Sequence, residues 1–154
     1  MRRKDRERDR DFALRVLKDC EYATLSTVNL DGSPYGIPIS PVLVGEVLYF
    51  HCALEGQKLD NLAHSNQVCL SCVCHTKLIP EHFTTEFESA VAKGRCTIVT
   101  EEEEKIMALR CICEKYAPSN MHAFEHAVSR SLARTGICKI ELEEVTGKCK
   151  TMPE

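Results

Sequence analysis

The chain opens on residues 2–11, where basic and acidic side chains alternate with no apolar residue between them; this reads as a solvated arm or a frayed helix start. Phe12, Ala13, Val16, Leu17 and Cys20 then recur at helical spacing and predict a short amphipathic helix ending near Cys20. From Tyr22 the period changes to two. Tyr22 to Val28 predicts a strand, the Asp31-Gly32 dipeptide a turn, and Pro34 to Val44 a second strand. That second strand carries Pro34, Pro38 and Pro41, which cannot donate to a ladder, so it is expected at an edge or broken. Gly45-Glu46 turns the chain into a third strand, Val47 to Ala53, closing an antiparallel meander. Leu59, Leu62 and Ala63 mark one face of a two-turn helix, and Gln67 to Cys74 a fourth strand. Residues 75–81 predict a loop, and His82 to Thr100 a long strand with a bulge or bend at Gly94. Two helices follow. Glu101 to Lys115 shows a stripe of Ile106, Leu109, Arg110 and Cys113, and Met121 to Ala133 turns Phe124, Ala127, Val128 and Leu132 inward. Ile137 to Leu142 is the last predicted strand. The pattern predicts a mainly β (β+α) chain: a six-stranded antiparallel barrel, closed or partly closed, with short flanking helices.

Composition narrows the class. At 154 residues, with 44% hydrophobic and 28% charged side chains, residues 1–154 are expected to form a single domain whose first eleven residues are a charged arm. A net charge of -3 leaves no global footprint for nucleic acid. No apolar run approaches the ~20 residues of a membrane span, and the charged start is no secretory signal, so a cytoplasmic protein is expected.

Ten cysteines fall below the density of a disulfide scaffold, and in a reducing compartment the thiols stay free. The densest cluster is Cys69-Leu-Ser-Cys72-Val-Cys74-His75. On a strand, Cys69 and His75 point to one face and Cys72 and Cys74 to the other. The four groups therefore do not converge, no metal site is expected, and the cysteines read as small buried apolar residues.

The stretch Leu48-Tyr-Phe-His51-Cys-Ala-Leu-Glu-Gly56-Gln-Lys58 is a strand, a glycine turn and a helix start. Free N–H groups at a helix N-terminus, a glycine that admits close approach and a lysine in the first turn suit a phosphate. They equally suit an ordinary capped helix. The Walker pattern and the G-x-G-x-x-G pattern are both absent. Alternation sets Leu48, Phe50 and Cys52 on the core face, and Val47, Tyr49 and His51 on the outer face. Tyr49 and His51 there suggest a surface covered by a ligand or a second subunit, or else a plain surface histidine.

Met1-Arg-Arg-Lys-Asp-Arg-Glu7, Tyr35-Gly-Ile-Pro-Ile-Ser40, Leu48-Tyr-Phe-His-Cys-Ala, Gly56-Gln-Lys58-Leu-Asp-Asn-Leu62, Phe87-Glu-Ser89 with Gly94-Arg95, and the closing stretch Ile137 to Lys148 carry a resemblance. Together they resemble the FMN-binding split-barrel superfamily. Within it the chain is similar to the pyridoxamine 5'-phosphate oxidase-like flavoproteins that include the nitroimidazole-resistance (Nim) reductases. The resemblance implies FMN as cofactor, its phosphate held by Gly56, Gln57 and Lys58. It implies Ile39 and Ser40 along the flavin ring, and His51 and Cys52 near the ribityl chain or ring edge. It also implies Glu88, Ser89 and Thr85 as a border from the next long strand. A homodimer with flavin between the subunits follows in that family. True oxidases carry Ser-Arg-Lys where this chain has Gly56-Gln57-Lys58, which argues against the oxidase activity itself. His51 matches the histidine implicated in Nim chemistry. The expected function is an FMN-dependent oxidoreductase passing electrons from NAD(P)H to a small organic acceptor such as a nitroaromatic. The alternative is a non-catalytic flavin or haem carrier on the same barrel.

Overall fold

A computed structural model describes residues 2–152; residues 1, 153 and 154 of the expected domain lie outside the described residues. The elements run β1 (Glu7–Arg8), α1 (Arg10–Asp19), β2 (Ala23–Val28), β3 (Pro34–Ile39), β4 (Val42–Val44), β5 (Val47–Cys52), α2 (Gln57–His64) and β6 (Gln67–Ile79). They continue with β7 (Thr84–Ile98), α3 (Glu102–Tyr116), α4 (Phe124–Ser131) and β8 (Gly136–Lys150), with 3-10 turns flanking α4. Among the described residues no helix is long and apolar enough to cross a membrane.

The strands form one antiparallel sheet in the order β3-β2-β6-β7-β8-β5-β4, with β1 added to β8. It is the expected mainly β split barrel, its ends left open. It counts eight strands rather than six because the proline-rich strand breaks at Ser40-Pro41 into β3 and β4, and because Glu7–Arg8 of the charged arm pairs with Gly147 and Lys148. β3 and β4 are the two edges, the positions that tolerate proline.

Two other boundaries move. β6 runs on through residues 75–79, past the expected loop, with a register shift between Cys74 and Lys77. β8 runs to Lys150 instead of ending at Leu142. Glu143 and Glu144 break the apolar alternation, yet they bridge to Arg95 (2.7 Å) and Lys93 (2.9 Å) on the neighbouring strand. Their charge is therefore satisfied within the sheet. The bulge expected at Gly94 is present as a register shift between Lys93 and Gly94, and any side chain at Gly94 would strike the Glu141 carbonyl.

The inner face of the sheet and α1 enclose the main core. Leu25, Leu48, Phe50, Leu70, Ala90, Ala92 and Ile140 meet Ala13, Val16 and Leu17 of the helix. Asp9 caps α1 by accepting from the Phe12 N–H at 2.9 Å. Gly147 lies directly beneath, where a Cβ would stand 2.9 Å from the Phe12 ring.

A second cluster lies on the outer face of β4 and β5, where α3 covers Val42, Tyr49 and Ile137 with Ala108 and Ile112. This corrects two expectations. The cover over Tyr49 is a helix of the same chain, and the inward stripe of α3 is Ala108 and Ile112, with Arg110 exposed and paired to Glu125. Small Ala108 lets the helix approach the sheet, while Leu109 and Cys113 turn towards α4. In α4 only Phe124 and Val128 are buried, and Ala127 faces solvent.

Candidate functional site

The strand β5 delivers its last residues to an open end of the sheet. His51 is exposed opposite Ile137, and Cys52 is buried opposite Gly136. The Cys52 sulfur lies 3.8 Å from the Cys138 sulfur. That contact and burial push the Cys52 thiol up, far from thiolate chemistry. Residues 53–56 then turn the chain into α2. Gly56 takes φ 127 and ψ 167, a conformation reserved for glycine, and open space surrounds its missing side chain.

No side chain caps α2. Its first backbone N–H groups are therefore free to meet something from outside. Lys58 sits in this first turn, where the helix dipole disfavours a cation. Its ammonium lies 5.8 Å from the Phe50 ring, and among the described residues it has no ion-pair partner. Glycine, open N–H groups and an unpaired lysine fit a phosphate.

A buried amide network fixes this helix start. Asn61, 1% exposed, donates from Nδ2 to Thr27 Oγ1 (3.0 Å) and to Asn29 Oδ1 (2.8 Å). Gln57 Nε2 donates to Asn61 Oδ1 (3.1 Å) and Asn29 Oδ1 (3.3 Å). The Gln57 side chain thus points back into the protein, which leaves its backbone N–H for a ligand. Sequence reasoning missed Thr27, Asn29 and Asn61. The available signal was Asn61 itself, a weak helix former beside Leu62 on the inward face.

Other expected site residues are spread along the sheet. Ile39 is buried in the main core, so on edge strand β3 it offers a ligand its backbone and not its side chain. Ser40 is half-buried at the break after β3. From Pro34, at the α2 end, to Ile39 is about five residues, or ~16 Å along the strand. Thr85, Glu88 and Ser89 lie towards the far end of β7. Glu88 pairs with Cys74, whereas Gln67, just after α2, pairs with Arg95. The separation is about seven residues, or ~23 Å. Within one chain these three residues do not join the α2 cradle.

Glu88 is already engaged. Its Oε2 meets the Arg15 guanidinium at 2.9 Å and His75 Nδ1 at 2.7 Å. Burial works to raise its pKa, and the hydrogen bonds from His75 and Arg15 outweigh that and hold it below the usual carboxylate range. His75 corrects the strand-face argument. It sits in the register shift with φ 49, so it leaves the Cys69 face and its Nδ1 comes 3.6 Å from the Cys74 sulfur. Cys72 is buried in the core, apart from this group. Tyr49 donates to Glu104 at 2.9 Å, and burial, then this bond, push its hydroxyl up to about 12.

The arrangement can hold an anionic group at α2 and an extended body along the β3 edge. Known proteins agree with the architecture. The putatively assigned 5-nitroimidazole antibiotic resistance protein of Bacteroides thetaiotaomicron is 23% identical, with a TM-score of 0.75 over 92% of this chain and 84% of that one. The flavocytochrome Anf3 of Azotobacter vinelandii is 20% identical, with a TM-score of 0.84 over 99% and 73%. The FAD and heme binding protein of Mycobacterium smegmatis is 19% identical, with a TM-score of 0.80 over 95% and 74%. No curated protein matches the sequence. The family model described as pyridoxamine 5'-phosphate oxidase matches residues 9–149, so the chain belongs to the pyridoxamine 5'-phosphate oxidase family.

Proposed function

We propose that the chain binds FMN with its phosphate at the start of α2, and works as a flavin-dependent oxidoreductase. It would take electrons from NADH or NADPH and pass them to a small organic acceptor such as a nitroaromatic. The observation that carries this reading is the uncapped α2 N-terminus, with Gly56 at φ 127 and Lys58 unpaired among the described residues. Bound flavin supplies the electron transfer, and the protein supplies binding and orientation. The Gly56, Gln57 and Lys58 N–H groups and the Lys58 ammonium hold the phosphate. The edge backbone of β3, followed by Ser40, runs beside the rest of the ligand. His51, exposed on the outer face of β5, would hand a proton to the acceptor. Cys52, held as a neutral thiol, packs beneath and takes no part in proton transfer.

A homodimer completes the site in this reading. Thr85 and Ser89 lie too far from the cradle to border the same ligand within one chain, and a second copy would bring its β7 to that ligand. A second reading, a non-catalytic flavin or haem carrier, draws on the flavocytochrome and the FAD and heme binding protein among the structural neighbours.

Absorbance spectra decide between them. The protein loaded with FMN should bleach on anaerobic NADPH or NADH and recover on adding a nitroimidazole. A yellow protein that neither donor bleaches points to the carrier. A protein that takes up no flavin overturns the first reading, and one that takes up neither flavin nor haem overturns both. His51→Ala should keep its flavin and its reduction by donor, while reoxidation by the nitro compound slows by ~10²–10⁴-fold. If flavin occupancy alone changes, His51 is a binding residue.

A further inference from the structure

At the other end of the sheet, β6 and β7 bring together three metal-ligating side chains from outside the cradle. The ligand atoms of Cys74, His75 and Glu88 all lie within 4.8 Å of one another. We propose that Cys74, His75 and Glu88 form a surface site for zinc, with Arg15 holding the carboxylate from behind.

Geometry carries the argument. Zinc bonds of about 2.3 Å to sulfur and ~2.0 Å to nitrogen set a tetrahedral edge of ~3.5 Å. The Cys74 Sγ to His75 Nδ1 separation is 3.6 Å. The His75 Nδ1 to Glu88 Oε2 separation, 2.7 Å, has to open to ~3.3 Å, within reach of the exposed His75 ring.

Backbone strain points the same way. An unbroken strand would turn His75 away from Cys74. Instead the ladder shifts register between Cys74 and Lys77, and His75 adopts φ 49, left-handed for a non-glycine residue. Bulges re-aim side chains, and such strain gathers at ligand sites. A cleft of about 400 Å³ lined by Asp19, Glu21, Tyr22, Val73, Cys74 and His75 opens onto the group and gives an entry path with two carboxylates.

Arg15 does not block the site. Its guanidinium is shared between Glu88 (2.9 Å) and Asp19 (3.3 Å), so it keeps a counter-ion when Glu88 turns to the metal. Outer partners of this kind fix ligating carboxylates. Cys74 releases its proton to solvent as zinc binds; a thiolate, an imidazole and a carboxylate favour zinc over magnesium or calcium, and three protein ligands leave a fourth position for water. The inference removes Glu88 from the flavin border that the family resemblance implied, and it stands apart from the flavin reading.

Cobalt(II) reports the site by colour. Titrated into the chelator-treated, thiol-reduced full chain, one equivalent should give a thiolate charge-transfer band and the visible bands of four-coordination, and one equivalent of zinc should erase them. His75→Ala and Glu88→Gln should each weaken cobalt binding at least tenfold, and Cys74→Ser should abolish the charge-transfer band. Three results each overturn the assignment: no band at micromolar cobalt, a band that survives in Cys74→Ser, or unchanged affinity in His75→Ala. His75 is exposed, so its variant decides the matter if Cys74→Ser fails to fold.

Discussion

Helices α1 and α2 both press a short apolar stripe into the same core, and they begin in opposite ways. At α1 the chain supplies its own cap, Asp9, and follows it with Asp11 in the first turn, where negative charge meets the positive end of the helix. At α2 the capping position is Gly56, the first turn holds Lys58 as well as Asp60, and no side chain accepts from the free N–H groups. A helix needed only for packing would gain stability from the first arrangement. The second makes sense where the missing acceptor arrives as an anion from outside.

Replacing Lys58 tests this contrast most severely. Lys58→Ala removes the one side-chain cation of the proposed cradle, a charge-assisted bond worth roughly 1.5–3 kcal/mol. FMN affinity, followed by quenching of flavin fluorescence, should fall by about one to two decades. The flavin-free protein should melt at the same temperature or slightly higher, because a cation leaves the wrong end of a helix. Unchanged affinity would make α2 a packing helix and nothing more.

Gly56→Ala probes the turn itself. A side chain meets no neighbour there, but φ 127 costs a non-glycine residue about 1–3 kcal/mol. Thermal melts should drop and FMN binding should weaken with them. Unaltered melting would mean that the turn relaxes freely, and the cradle would lose its fixed shape.

The smallest effect belongs to α1. Asp9→Ala deletes the cap on Phe12 and should cost about 1 kcal/mol in urea unfolding, with FMN affinity unmoved. A matching fall in FMN affinity would erase the distinction between the two helices.

Much of this contrast was legible in the amino-acid order. The spacing of Ala13, Val16 and Leu17 fixes α1, the three prolines force a broken edge, and Gly94 marks its bulge, because each acts through local sterics or periodicity. The glycine-lysine helix start could be read for the same reason. Other features depend on partners remote in sequence. Glu143 and Glu144 end an apolar pattern, and only Arg95 and Lys93 make them strand residues. The cover over Tyr49 comes from α3, whose Glu104 meets the Tyr49 hydroxyl 55 residues away. Strand alternation separated His75 from Cys74 because it assumes an unbroken ladder, and a register shift suspends that assumption.

The position of β8 in the sheet has a further consequence. It is the last element among the described residues, yet it pairs with β7 on one side and β5 on the other, and it also receives β1. The β4–β5 hairpin has no other strand to join. During synthesis the hairpin must therefore wait, unpaired along one side, while residues 53–135 emerge. The two halves of the sheet are sewn together only by the final stretch, Gly136–Lys150. Such distant pairings slow folding, since the entropy of loop closure is lost before the contacts form. The β4–β5 hairpin thus joins the rest of the sheet only once Gly136–Lys150 is in place.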